Sequence, residues 1–338
     1  MPTDEKEGSL ERKEGVLLGQ KAPKRTPSFH QGALLNTNTV IEAVANRALA
    51  GPYKIWGFGE GMALAGLAVA GEALDRPEWI DFVVDLVRPA LDRPADPTDH
   101  LIPVEVLHVL ARLRPGLPTR KAQDRFVRAV WREGRPVPCH RPDLPELATT
   151  VWVDCLHTDG PGLVLAGLPD AGATVVEHGC AILQDGSGLF SHGYDVETGR
   201  ANGVHWGRGQ GWALHGLTGT GSATIQHRRE RLLTGLARHE HDGSWRTIVD
   251  DPAAPIEHSV SALVAAGILH GRSPGQWDAI AGRALRAAIA ALDTDGGLPV
   301  SAATPAADRT TYLDRPVGVH PWGQGPLLLA LLLARESR

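Results

Sequence analysis

The chain has 338 residues, 42% of them hydrophobic, and a formal net charge of −5. That is enough apolar material for a large buried core, and the scattered Lys and Arg form no basic stripe of the kind that binds nucleic acid. The three cysteines, Cys139, Cys155 and Cys180, are odd in number and lack a CxxC spacing, which fits a reducing compartment better than a disulfide framework.

Residues 1–30 are charged and contain proline, with little periodicity, and read as a flexible N-terminal arm ahead of one domain over 31–338. The opening MPTDEKEGSLERKEG has no apolar h-region, so the expected location is cytoplasmic. Beyond the arm, apolar residues recur at i, i+3, i+4 and i+7, and long Val/Ile/Thr alternations are absent. The pattern predicts helices over 38–49, 57–74, 77–91, 101–114, 119–133, 150–168, 170–184, 206–218, 224–239, 257–270, 275–292 and 322–336. Pro161 is expected to break the sixth. The longest strongly apolar run, 327–334, is far too short to span a bilayer, so no membrane is expected.

The twelve helices fall into two alternating sets. Those starting near 57, 101, 150, 206, 257 and 322 are rich in Gly and Ala with few charges, as in GEGMALAGLAVAG and GQGWALHGLTGTG. The others carry charges on one face, as in KAQDRFVRAVWRE. A helix apolar all round is buried, whereas an amphipathic one covers a surface. The repeat is a helical hairpin of about fifty residues, used six times. Three inner helices open alike, at Trp56-Gly-Phe-Gly, Trp206-Gly-Arg-Gly and Trp322-Gly-Gln-Gly. The expected fold is therefore all-α, a closed (α/α)6 barrel of six inner and six outer helices; an open solenoid of the same hairpins is the alternative. Inner-helix N-termini meeting at one end would favour an anionic ligand.

The loops before the inner helices hold the candidate chemistry. In Val151-Trp152-Val153-Asp154-Cys155-Leu156-His157, Asp154 sits among apolar residues at a helix start. Burial there favours retention of its proton, as a general acid requires; an Asp serving only the first helical turn fits the pattern as well. In Asp96-Pro-Thr-Asp99-His100-Leu-Ile-Pro103, Asp99 reads as a helix N-cap, or as a second carboxylate at the barrel mouth. The third cluster carries His192, then Val204-His205-Trp206-Gly-Arg208-Gly-Gln-Gly-Trp212. The Asp185-Gly-Ser-Gly188 turn ahead of it predicts a short hairpin that brings His192 over the mouth. Trp206 and Trp212 offer faces for sugar rings, or core packing, and Arg208 offers a planar fork for a carboxylate.

No cofactor or metal is expected. The glycine runs at 57–61 and 207–211 neither follow a strand in a βαβ unit nor match a nucleotide-binding spacing. The 15 histidines form no HExxH or other clear ligand pattern.

The stretch SGLFSHGYDVETGR-ANGVHWGRGQGWALHGL resembles the unsaturated rhamnogalacturonyl hydrolases (glycoside hydrolase family 105) and their relatives, the unsaturated glucuronyl hydrolases of family 88. VWVDCLHTDGPGL is similar to the family's catalytic-aspartate segment and DHLIPVEVLHVLARL to the one bearing its second aspartate. DGSWRTIVDDPAAPIEHSVSALVAAGIL and HPWGQGPLLLALLLA extend the likeness, which runs from about Asn36 to Arg335. The resemblance implies an (α/α)6 barrel. It implies Asp154 as general acid/base and Asp99 as its partner, with Trp152, His192, Trp206, Arg208 and Trp212 lining the sugar pocket and His140 a further, less closely matched contact. The chain departs from the family pattern at Pro161-Gly162-Leu163 and at His192-Gly-Tyr194-Asp195, which bears on the pocket wall and the substrate.

The implied substrate is an unsaturated uronyl disaccharide or short oligosaccharide, handled by a monomer or homodimer. The implied reaction hydrates the C4=C5 enol ether left by polysaccharide lyases, with Asp154 protonating C4 and water adding at C5. Two other readings stay open: a sugar epimerase on the same barrel, with His192 and His258 as acid and base, and a carbohydrate-binding protein without turnover.

Overall fold

The computed structural model describes residues 37–54, 58–92, 102–131, 137–140, 145–271 and 275–336. The arm expected over 1–30, Trp56 and Asp99 lie outside them. In chain order the helices are α1 (Thr37–Leu49), α2 (Phe58–Ala73), α3 (Pro77–Val87), α4 (Val104–Leu113), α5 (Arg120–Val130), α6 (Cys155–Leu165), α7 (Pro169–Leu183), α8 (Gly207–Thr218), α9 (Ala223–Arg238), α10 (His258–His270), α11 (Asp278–Ala290), α12 (Arg309–Leu313) and α13 (Pro321–Glu336). Among the described residues, five short strands lie between them: β1 (Thr150–Trp152), β2 (Gly193–Asp195), β3 (Arg200–Ala201), β4 (Pro299–Ser301) and β5 (Val317–Val319).

The inner ring is α2, α4, α6, α8, α10 and α13, each packed on the next, and α13 returns to α2. The ring is thus closed, as expected, and the open solenoid is excluded. The outer helices α1, α3, α5, α7, α9 and α11 pack on the ring. Their sequences explain the division. α3 buries Trp79, Ile80, Val83, Val84 and Val87, one stripe at helical spacing, and leaves its acids outside. α8 is buried at every position from 207 to 217, and α10 from 259 to 268. The two largest apolar clusters among the described residues are built mainly on α1–α4 with α13 and on α6–α11.

Small residues set the inner spacing. A Cβ on Gly216 of α8 would lie 2.4 Å from the Leu156 carbonyl oxygen of α6, and one on Gly325 of α13 would lie 2.5 Å from the Ala63 nitrogen of α2. No other residue allows backbones this close.

The sixth predicted helix needs correction. Residues 150–152 are a strand and α6 starts at Cys155. Thr150, Val151 and Trp152 are β-branched or aromatic and pair antiparallel with β2, Trp152 opposite Gly193. Pro161 lies inside α6 and does not break it. The helix is held from outside: a Cβ on Gly219, just after α8, would sit 2.7 Å from the Pro161 ring, and one on Gly162 would sit 2.5 Å from Phe126 of α5. The short α12 and the two small sheets were not expected. Among the described residues no helix is long and apolar enough to cross a membrane.

Candidate active site

Asp154 stands at the junction of β1 and α6. The β1–β2 pairing continues one step past the strand, where the Val153 N–H donates to the His192 carbonyl at 2.9 Å. This strand pairing aligns His192 with Asp154, although the two are 38 residues apart, while the turn expected at Asp185–Gly188 closes a tight hairpin of its own in which Gln184 is bridged to Phe190. Asp154 is 2% exposed and its side chain makes no helix-capping hydrogen bond, so a purely first-turn role is not what the geometry shows. His192 Nε2 lies 3.0 Å from Asp154 Oδ2. Asp154 Oδ1 is buried with no hydrogen-bond partner. A carboxylate oxygen without a donor is costly to bury and is a natural place for a proton or a ligand.

Aromatic faces enclose this pair. The Trp206 ring is tilted against His192 with centroids 4.3 Å apart, and Trp152 meets it edge-on at 5.5 Å. The Nε1 atoms of both tryptophans are buried without a partner. Tyr312 closes the far side, its hydroxyl 2.8 Å from His192 Nδ1.

Arg208, in the first turn of α8, is 1% exposed. Its guanidinium lies over Trp206 at 4.9 Å and Trp322 at 5.5 Å. One Nη2 donates to the Ser301 carbonyl (2.8 Å) and hydroxyl (2.5 Å) and approaches Glu257 at 3.9 Å. Its Nε is buried with no partner. Burial lowers the hold of this guanidinium on its proton, and the charges of Glu257 and Asp154 work against that. Burial pushes Glu257 the other way, but Arg208 and hydrogen bonds from Ser259 and Ser301 hold its carboxyl below the usual range.

Two anticipated residues stand apart from Asp154. Trp212 is fully buried and stacks on His157, with centroids 5.1 Å apart; His157 Nε2 is in turn 3.5 Å from Glu105 Oε2. His140 pairs with Asp159 at 2.7 Å. Burial alone would lower His140, but Asp159 and the Cys155 sulfur hold it well above the ordinary imidazole range. The ligand-type atoms of His140, Cys155 and Asp159 lie within 4.8 Å of one another, and two of the three residues, His140 and Asp159, are hydrogen-bonded to each other.

Both nitrogens of His192 are engaged, Nδ1 by Tyr312 and Nε2 by Asp154. Four contributors were not anticipated: Tyr312, Asn202, Ser301 and Glu257. Glu257 carried a signal, since Glu-His-Ser ahead of an apolar run is a helix start and its side chain does cap α10. Tyr312 carried none beyond Asp308, which caps α12 four residues earlier.

Asp154, Trp206, Arg208, Glu257 and Trp322 all lie at N-terminal ends of inner helices, at one rim of the barrel. A buried carboxylate with a partnerless oxygen, flat aromatic faces and a guanidinium with an unused donor form a site that can hold a ring bearing negative charge. The sequence pattern of Glycosyl Hydrolase Family 88 matches residues 35–335, and the chain belongs to that family. It is a glycoside hydrolase.

Among characterised proteins it is similar to the unsaturated rhamnogalacturonyl hydrolase YesR of Bacillus subtilis (strain 168), 26% identical over 334 residues, covering 89% of this chain and 96% of that one. Among solved structures it is similar to a possible member of the GH105 family from Klebsiella pneumoniae subsp. pneumoniae MGH 78578, with TM-score 0.80, 19% identity and coverage of 94% and 96%. It is also similar to the unsaturated glucuronyl hydrolase from Bacillus sp. GL1, with TM-score 0.70, 19% identity and coverage of 89% and 96%. These structural likenesses establish the barrel.

Proposed function

We propose that the protein removes a 4,5-unsaturated uronic acid from the non-reducing end of short, lyase-generated oligosaccharides. The observation that carries this reading is the asymmetry of Asp154: Oδ2 is pinned by His192 while Oδ1 is buried without a partner. Asp154 delivers the Oδ1 proton to C4 of the enol ether, which leaves oxocarbenium character at C5. The resulting carboxylate takes a proton from water as its oxygen bonds to C5. The hemiketal so formed opens and releases the neighbouring sugar. Arg208 holds the C6 carboxylate through the donors its anchor on Ser301 leaves free, and the indole faces hold the ring. Asp99 assists as a second carboxylate. The printed activities of YesR and of the Bacillus sp. GL1 enzyme support the substrate class. The odd number of cysteines supports work in a reducing, cytoplasmic compartment.

The test is a panel of lyase-generated unsaturated disaccharides, followed by loss of the enol-ether ultraviolet absorbance. At least one is consumed by the wild type. Asp154→Asn folds and loses turnover by about 10²–10⁴-fold, the usual contribution of a positioned acid/base. A fully active Asp154→Asn enzyme would refute the assignment.

A further inference from the structure

Three hydrogen bonds meet at the Tyr312 hydroxyl: Asn202 Nδ2 at 3.0 Å, the Ala307 backbone nitrogen at 3.3 Å and His192 Nδ1 at 2.8 Å. A phenol has one proton and two lone pairs. The Asn202 amide can be oriented from its neighbours. Its Oδ1 faces the backbone N–H groups of Gly193 and Val204, each at 3.3 Å, and its Nδ2 faces the Ala307 carbonyl at 3.2 Å. Asn202 Nδ2 and the Ala307 N–H are therefore both donors to the phenol, and they fill its lone pairs. The phenol proton is left for His192 Nδ1, which accepts it and bears no proton of its own. The single ring proton then sits on Nε2 and donates to Asp154 Oδ2.

We propose that Tyr312 is a positioning residue that holds His192 as the neutral Nε2–H imidazole, and that Asp154 in consequence carries its transferable proton on Oδ1. The role of Asp154 rests on the function proposed above; the state of His192 does not. An imidazolium 3.0 Å from Asp154 would hold the carboxylate ionised and remove the acid from the reaction. A neutral donor secures Oδ2 without adding that charge. Protonation of Nδ1 would aim a second N–H at an oxygen whose lone pairs are taken, in a site where His192 and Tyr312 are each 1% exposed. Burial pushes the phenol up to about 12, so it stays a donor across the working range. The charged groups around the ring are Asp154 ahead of α6, Arg208 on α8 behind Trp206, and Asp308 at the head of α12; Asp154 is the one in contact.

The test begins with the wild-type enzyme, ¹⁵N-labelled at histidine, without substrate. Long-range ¹H–¹⁵N correlation from about pH 5 to about pH 8 spans the ordinary imidazole range, and the His192 ring is assigned by its absence in His192→Gln. The expected spectrum is an Nε2–H, bare-Nδ1 ring throughout. An Nδ1–H tautomer, or a doubly protonated ring in the acidic samples, overturns the proposal. Tyr312→Phe supplies the second arm. In its ¹⁵N spectrum an Nδ1–H signal appears on His192, and its turnover falls below that of the wild type, more steeply as the solution is acidified. An unchanged His192 ring in this variant, with a loss of equal size at every pH, marks Tyr312 as structural support alone and sinks the positioning role. If the ring state is as expected but no unsaturated uronate is consumed, the substrate reading fails and the tautomer stands.

Discussion

The Arg208 guanidinium on α8 donates to both oxygens of Ser301 at the end of β4, the carbonyl at 2.8 Å and the hydroxyl at 2.5 Å. That anchor spends one nitrogen on the protein and fixes the plane of the fork, while Nε keeps an unused donor. β4 is held in turn by β5, Val300 opposite Gly318, so the small sheet ahead of α13 works as a brace for a cation.

Arg208→Lys keeps a positive charge but loses the planar fork. Hydrogen bonds to charged groups are worth about 1.5–3 kcal/mol, so kcat/KM on an unsaturated uronate falls by roughly 10–100-fold. The same substrate as its methyl ester loses much less. Equal losses on acid and ester would show that Arg208 does not bind the carboxylate.

Glu257 is 3% exposed, and its carboxyl is held below the usual range by Arg208 and by donors from Ser259 and Ser301. A depressed folded-state value stabilises the protein at pH above the unfolded-chain value of about 4.3, and that stabilisation is lost as pH falls through the lower folded value. Glu257→Gln leaves a buried guanidinium without its counter-charge and costs about 3 kcal/mol near neutrality. The gap between wild type and Glu257→Gln, measured as urea-unfolding midpoints at a series of pH values, closes as the solution is acidified below about 4. A gap that stays constant into acid would remove Glu257 from the ion pair.

Gly325→Ala places a methyl group against the Ala63 backbone nitrogen, which cannot swing aside as a side chain would. Overpacking of this kind costs about 1–3 kcal/mol. Gly116→Ala, at a position with nothing within 4 Å, is the control and leaves the urea midpoint unchanged. Equal midpoints for the two variants would mean that the seam between α13 and α2 can open slightly without cost.

The barrel was legible because its signal is local and repeated: Gly/Ala-rich helices alternate with amphipathic ones, and each type is defined within a dozen residues. Asp154, His192, Trp206 and Arg208 were legible because each sits at a helix start or beside a turn signal. β1 was not, since its three residues are continuous with the apolar pattern of α6 and become a strand only by pairing with β2, some forty residues on. Pro161 was misjudged for a related reason: its neighbours in space, Gly219 and the α5 side of α6, hold a helix that local propensity would end. Tyr312 acts through a residue 120 positions away, at a distance no spacing rule reaches.

The ring is completed by α13, the last helix in chain order, which lies between α2 and α10 and supplies Leu327, Leu328 and Leu331 to the first core cluster. During synthesis the apolar walls of α2 and α10 thus emerge well before the helix that covers them. The nascent chain exposes an open, leucine-hungry trough until translation has passed α13, and this closure between distant parts of the chain is slow compared with hairpin formation. Expression of this enzyme should accordingly depend on chaperone capacity more than its many local helical contacts would imply.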